Sequence, residues 1–219
     1  MDPAPIRLSL ALAAVTTLSL ILVATPLAWW LARTRSRARL LVESMVVLPI
    51  VLPPTVLGFY LLLLLGRQGP LAPVLEALDL TLVFSFSGLV IGSVVFSLPF
   101  AVFPLRNAFA AISQGELEAA ATLGARPVDR FFSVALPLAW PGFLVAAILC
   151  FAHTIGEFGV VLMIGGNIPG ETQVLSIAIY NYVEQLDYGP AHVLSASLVA
   201  MSFLVLVLLE LVTRRGERR

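Results

Sequence analysis

Residues 113–142 read SQGELEAAATLGARPVDRFFSVALPLAWPG, a stretch that starts, stops and restarts helical structure in the middle of a very apolar chain. Ser113 and Glu116 have the spacing of a capping box, in which hydroxyl and carboxylate take up the first free amides of a helix beginning at Gln114. Gly124 ends that helix beyond Leu123, because glycine alone takes positive φ without penalty. Pro127 suits the first turn of a second helix, which runs through Phe131 and Phe132 until Pro137 and Pro141 interrupt it. The product is a helix-turn-helix elbow within a loop covering about residues 107–137. Along its first arm Ala119, Ala120 and Ala121 keep the profile slim, Leu117 and Leu123 offer apolar contacts, and Glu116 and Glu118 supply charge, with Arg126 just beyond the turn. Such a helix suits another protein's groove, and it equally suits an elbow that only closes a loop. Periodicity alone leaves both readings open.

The surroundings say where the elbow lies. Only 12% of the 219 residues are charged and 59% are hydrophobic, against about 25% charged in a soluble domain. Five stretches satisfy the criterion of roughly 20 mostly apolar residues for a membrane-spanning helix: Leu8 to Ala32, Ser44 to Gly66, Phe84 to Leu105, Leu138 to Ile164 and Gly189 to Leu209. The fold class expected is therefore all-α, one polytopic membrane bundle of about five helices over residues 1–219. All thirteen basic residues are arginines. They cluster at Arg33, Arg35, Arg37 and Arg39, at Arg106, Arg126 and Arg130, and at Arg214, Arg215, Arg218 and Arg219. By the positive-inside rule these segments face the cytoplasm, which puts the N-terminus outside, the C-terminus inside and the elbow on the cytoplasmic side. The remaining loops, with Glu76, Asp79, Glu171, Glu184 and Asp187 against Arg67, lie opposite. The first span is too long, and too poor in preceding positive charge, for a cleaved secretion signal.

Few residues suggest chemistry. Cys150 is the single cysteine, so neither a disulfide framework nor a metal cluster is expected, and His153 and His192 are read as structural. Prolines interrupt the spans: Pro49, Pro53 and Pro54 in the second, Pro99 and Pro104 in the third. Each frees a backbone carbonyl that membrane tolerates only against protein or a water-filled cavity, so Pro53 and Pro54 are candidates for a pathway or gate, with packing kinks as the alternative. Glu157, between Gly156 and Gly159, is the carboxylate lying inside an apolar run. Counted along a straight helix from Leu138 it falls near the outer interface, where a structural or gating role, hydrogen-bonded to backbone amides or a partner subunit, fits better than contact with cargo. Its flanking glycines allow a bend or close packing. NIPG at 167–170 reads as a turn, and Gln173 to Leu186 reads as an amphipathic surface helix with Val174, Ala178, Tyr182 and Leu186 four apart.

The elbow resembles the signature of ABC import permeases, E-A-A, three residues, G, nine residues, I-x-L-P. Here it stands as Glu118-Ala119-Ala120, Gly124 and Val134-Ala135-Leu136-Pro137, with valine for isoleucine. GEFG at 156–159 and GNIPGET at 166–172, with LPIVLPPTVLG in the second span, resemble the molybdate and sulfate branch of that family, the molybdate permeases most. The resemblance implies that the elbow docks on a cytosolic ATP-binding subunit through Glu116, Leu117, Glu118, Ala119, Ala120, Leu123, Gly124 and Arg126. It implies a homodimer with two such subunits and an extracytoplasmic molybdate-binding protein, in lipid and without nucleic acid. This chain would itself carry no cofactor and no catalytic residue, ATP and magnesium being bound by the partner; no G-x-x-x-x-G-K-[ST] loop occurs in it. Since no arginine or lysine lies within a span, a tight dianion site is not expected there. Sulfate or tungstate transport, an integral membrane enzyme and a simple anchor for an ATPase are the rival readings.

Overall fold

A computed structural model describes residues 3–217, and side chains through residue 211. The described residues are all-helical. α1 (Ala4–Arg33), α5 (Phe86–Ala111) and α12 (Tyr188–Glu217) are long single helices, and each is long and apolar enough to cross a membrane. Two further apolar segments are sharply bent helix pairs. α2 (Ala38–Val51) and α3 (Pro54–Leu65) meet at 113°. The other pair joins the elbow's second arm to α9 (Trp140–Ile155) at 68°. Short α4 (Ala72–Ala77) follows α3. Three of the five expected spans are thus single helices, the second is broken at Leu52 and Pro53, and the fourth is interrupted after Ile155.

The breaks follow the chemistry of proline selectively. Pro53 and Pro54 each bar the preceding residue from helical geometry, and Leu52 and Pro53 accordingly extend, with ψ of 139° and 134°. Pro49 stays inside α2, and Pro99 and Pro104 stay inside a continuous α5. The expected interruption of the third span therefore does not occur. α5 is clasped between α1 and α9, and packed neighbours hold a proline-containing helix straight where isolated backbone would kink.

Half of α5's most apolar window is buried, against 11% of α12's, so α5 is the central post and α12 lies at the periphery. Two apolar clusters form along α1 and α5. One, toward the elbow, includes Leu20, Ala28, Leu31, Leu105, Phe109, Ala139 and Cys150. The other, toward the far end, includes Leu12, Leu61, Leu89, Val160, Ile164 and Ile177. Between them each helix contributes buried polar side chains at the same station: Thr16 and Thr17 on α1, Ser93 and Ser97 on α5, Thr154 on α9 and Glu157 just beyond it. The core is two apolar blocks separated by a polar layer.

Candidate functional site

The elbow forms as its residues dictate. α6 (Gln114–Thr122) opens with a complete capping box: the Glu116 amide donates to Ser113 Oγ at 3.3 Å, and the Ser113 amide donates to Glu116 Oε2 at 2.8 Å. It closes in a Schellman motif. The Gly124 amide donates to Ala121 O (2.9 Å) and the Ala125 amide to Ala120 O (3.1 Å), with Gly124 at φ 85° as that motif requires. Pro127 then opens α7 (Pro127–Arg130), whose entry is tied by the Arg126 amide donating to Asp129 Oδ2 at 3.2 Å. A π-helical turn, Phe131–Ala135, carries the chain into α8 (Leu136–Leu138). That turn explains why Pro137 does not stop the arm: Leu136 donates to Phe131 O, five residues back, so the ladder is already offset where the proline lacks its N–H. The break comes later, at Ala139, ahead of Pro141.

The elbow's faces separate cleanly. Leu117 is the α6 side chain that enters the core, while Glu116, Glu118, Ala119 and Thr122 are exposed and Leu123 is 89% exposed. Arg126, Val128 and Phe132 are exposed beside them. The expectation that Leu117 and Leu123 share a role is corrected here, since one anchors the helix and the other leaves it. An apolar residue that exposed, beside a carboxylate and a slim alanine flank, forms a surface suited to a groove on another protein.

Glu157 and its glycines sit elsewhere. The fourth span is interrupted between α9 and α10 (Gly159–Gly165), so counting along one straight helix misplaces Glu157. It is 4% exposed and interacts with Ser93, seven residues inside α5 and hence about 10 Å from that helix's far end at 1.5 Å per residue. It is therefore buried beside the outer third of α5 rather than at the end of one continuous helix. Its backbone carbonyl accepts from Ser176 Oγ (2.5 Å), but neither carboxyl oxygen has a hydrogen bond of good geometry among the described residues. The expected bonds to backbone amides are not made. One turn back, His153 Nδ1 shares a hydrogen bond with Ser97 Oγ (2.8 Å), and its ring stacks on Phe100 at 4.1 Å, a structural setting.

Of the prolines and glycines proposed as a gate, Pro54 and Gly159 meet. α10 packs on α3, and a Cβ placed on Gly159 would stand 2.9 Å from Pro54 Cβ and 3.2 Å from the Thr55 amide nitrogen. Pro53 and Pro54 are exposed on this chain, whereas Gly159 is buried. The stretch after α10 is a type II turn, Pro169 then Gly170 at φ 80°, with Glu171 donating to Ile168 O at 3.2 Å. α11 (Leu175–Glu184) follows, shorter than expected. It packs through Val174, Leu175, Ile177 and Ala178, while Val183 and Leu186 face outward; Leu186, at φ 58°, has left the helix. A simple four-residue periodicity missed this because α11 is gripped on two sides, by α12 and by α1, whose Ser9 Oγ accepts from the Leu175 amide. Asn167 and Asn181 exchange side-chain hydrogen bonds at 2.8 and 3.1 Å, tying the turn to this helix. That pair is a feature sequence reading passed over. No group of three or more metal-ligating side chains occurs among the described residues.

A bent bundle of apolar helices with a capped, outward-facing E-A-A elbow defines a class, the membrane subunits of ABC importers. The family described as "Binding-protein-dependent transport system inner membrane component" matches residues 24–218, and the chain belongs to it. It is thus a multi-pass inner-membrane permease subunit. Over 206 residues it is 57% identical to the molybdenum transport system permease protein ModB of Azotobacter vinelandii, covering 94% of this chain and 91% of that one. Among solved structures, it superposes on a bacterial alginate ABC transporter in complex with alginate pentasaccharide-bound periplasmic protein, with a TM-score of 0.75 at 17% identity, over 97% of this chain and 78% of the other. It also superposes on the MetNI methionine ABC transporter in an inward-facing conformation, with a TM-score of 0.71 at 20% identity, over 97% and 94%. At those identities the likeness is one of fold.

Proposed function

We propose that this chain is the permease of a molybdate ABC importer, and that α6 is its docking element for a cytosolic ATP-binding subunit. The observation that carries the docking role is the exposed face of α6, with Glu118 and Leu123 presented on a helix whose two ends are fixed by their own local chemistry. What supports molybdate as cargo is the 57% identity to a molybdenum permease over nearly the whole chain. The arginine clusters support an orientation with the elbow and the C-terminus in the cytoplasm and the N-terminus outside.

Two copies of the chain enclose the path, and two ATP-binding subunits hydrolyse ATP with magnesium. The chain itself needs no cofactor. Docking runs through Glu116, Glu118, Ala119, Ala120, Leu123, Gly124 and Arg126, on a helix that Leu117 anchors to the core. Pro53, Pro54, Gly156, Glu157 and Gly159 border the gate where α3 meets α10. Cargo arrives on an extracytoplasmic binding protein, because the bundle's interior offers hydroxyls and one carboxyl rather than the charge-assisted donors a dianion site needs. Uptake of radiolabelled molybdate and sulfate into vesicles holding permease, ATP-binding subunit and binding protein tests this reading. ATP-dependent accumulation of molybdate is expected; accumulation of sulfate alone reassigns the cargo, and none of either refutes the role.

A further inference from the structure

The elbow is continuous with α5 and α9, and a third helix, α1, also holds its root. The Arg33 Nη2 amine, in the last turn of α1, donates to Phe109 O at 3.0 Å and to Ile112 O at 3.2 Å. Those carbonyls end α5, immediately ahead of the Ser113 cap of α6, where a cation also complements the helix dipole. One turn back, Trp29 meets Phe109 edge-on at 5.2 Å and Phe131, in the elbow's second arm, at 5.3 Å. The Arg33 guanidinium lies over the Trp29 ring at 5.0 Å. The end of α5 from which the first arm starts therefore meets Trp29 and Arg33, and the second arm meets Trp29 through Phe131.

From there α1 runs unbroken to the opposite end of the molecule. At that end the Leu175 amide, first in α11, donates to Ser9 Oγ at 2.7 Å in a fully buried setting. Ser9 and Arg33 are about 36 Å apart at 1.5 Å per residue. A single helix thus holds the root of the elbow at one end and the start of the surface helix α11 at the other.

We infer that α1 is the rod that carries ATP-driven movement of the elbow to α11 at the outer face, with Arg33 and Ser9 as its two joints. The inference rests on reading α6 as the docking element. Arg33 and Ser9 are positioning residues in it: neither touches cargo or nucleotide. Each joint bonds to backbone atoms of another helix, so it constrains that helix's position whatever side chains surround it.

The test is a double-mutant cycle in proteoliposomes holding the whole transporter, with radiolabelled molybdate moved per ATP hydrolysed as the readout. Retention of the ATP-binding subunit is measured alongside. Arg33→Gln and Ser9→Ala are each expected to keep that subunit and to lower molybdate moved per ATP by about tenfold, the worth of one buried or charge-assisted hydrogen bond. Two joints of one rod act in series, so the double variant is expected to match the worse single variant. Distant faults of purely local effect instead combine additively in free energy, and a multiplied defect overturns the rod, as does a wild-type ratio in Arg33→Gln. Glu118→Lys separates the two readings. Normal docking and transport in that variant removes the docking role and the rod with it, while a defective Glu118→Lys beside an unaltered Arg33→Gln removes the rod alone. If Arg33→Gln does not reach the membrane, Arg33→Lys enters the same cycle, since it keeps the charge and loses the planar stack on Trp29.

Discussion

Replacing Gly124 isolates the contribution of one backbone conformation to docking. Gly124 sits at φ 85°, and a Cβ built on it meets nothing within 4 Å. A substitution there meets no steric obstacle, so its cost is that of holding an L-residue in the left-handed region, about 1–2 kcal/mol for alanine. Asparagine, which tolerates that region, costs less, and β-branched valine costs more. A loss of 1–2 kcal/mol lowers the population of the closed Schellman turn about 5- to 30-fold relative to its frayed form. α6 has only nine residues, and helices that short depend on their ends and their tertiary contacts. Fraying the end displaces Leu123, the most exposed apolar group on the docking face. Affinity of the permease for its ATP-binding subunit, measured by titration in lipid nanodiscs, should fall in the order glycine, asparagine, alanine, valine. Thermal unfolding of the bundle should stay unchanged, because the turn is exposed. Equal affinities for the glycine and alanine forms would refute the reasoning, and so would an asparagine form as weak as the valine form.

Three further outcomes are expected. Glu118→Lys and Leu123→Asp should each weaken association with the ATP-binding subunit by about tenfold or more while leaving the unfolding temperature of the permease alone; intact association in both would count against the docking face. Gly159→Val should destabilise the packing of α3 on α10 by about 1–3 kcal/mol, because one of the atoms crowding its Cβ is the Thr55 backbone nitrogen, which cannot swing aside. A differential scan of the purified bundle with an unshifted midpoint would contradict that. A sulfate-specific binding protein engineered to dock on the same outer surface should let sulfate cross, and productive docking with ATP turnover but no sulfate uptake would place a filter within this chain.

The elbow was legible in the sequence almost residue by residue because its determinants are local. A serine three residues ahead of a glutamate, a glycine at the end and a proline at the restart each act within a turn or two of themselves. Ser113, Glu116, Gly124 and Pro127 behave as such signals should. The long spans were legible for a related reason, since composition over twenty residues needs no knowledge of neighbours. Exposure was harder to read. That Leu117 turns inward and Leu123 outward depends on what lies beneath α6, which the helix's own periodicity does not contain.

Errors gathered where tertiary contacts decide the backbone. Pro53 and Pro54 break their span because each restrains the residue before it, whereas Pro99 and Pro104 do not, because α1 and α9 grip α5 on both sides. Pro53 and Pro54 also stand in tandem, so two successive residues are held extended. Tertiary packing likewise sets Glu157, which is buried just beyond α9 and interacts with Ser93 of α5. The break at Gly156–Phe158 answers to the seating of α10 against α3 through Gly159 and Pro54, a contact more than a hundred residues apart in the chain. A uniformly apolar core would tolerate such a shift poorly, since unpaired backbone at membrane depth needs polar or protein surroundings. In this bundle the hydroxyl layer falls at the level of that break, where polar groups can be accommodated. The interruption of the fourth span and the polar layer are therefore one feature, and sequence reading separated them because its residues come from three different helices.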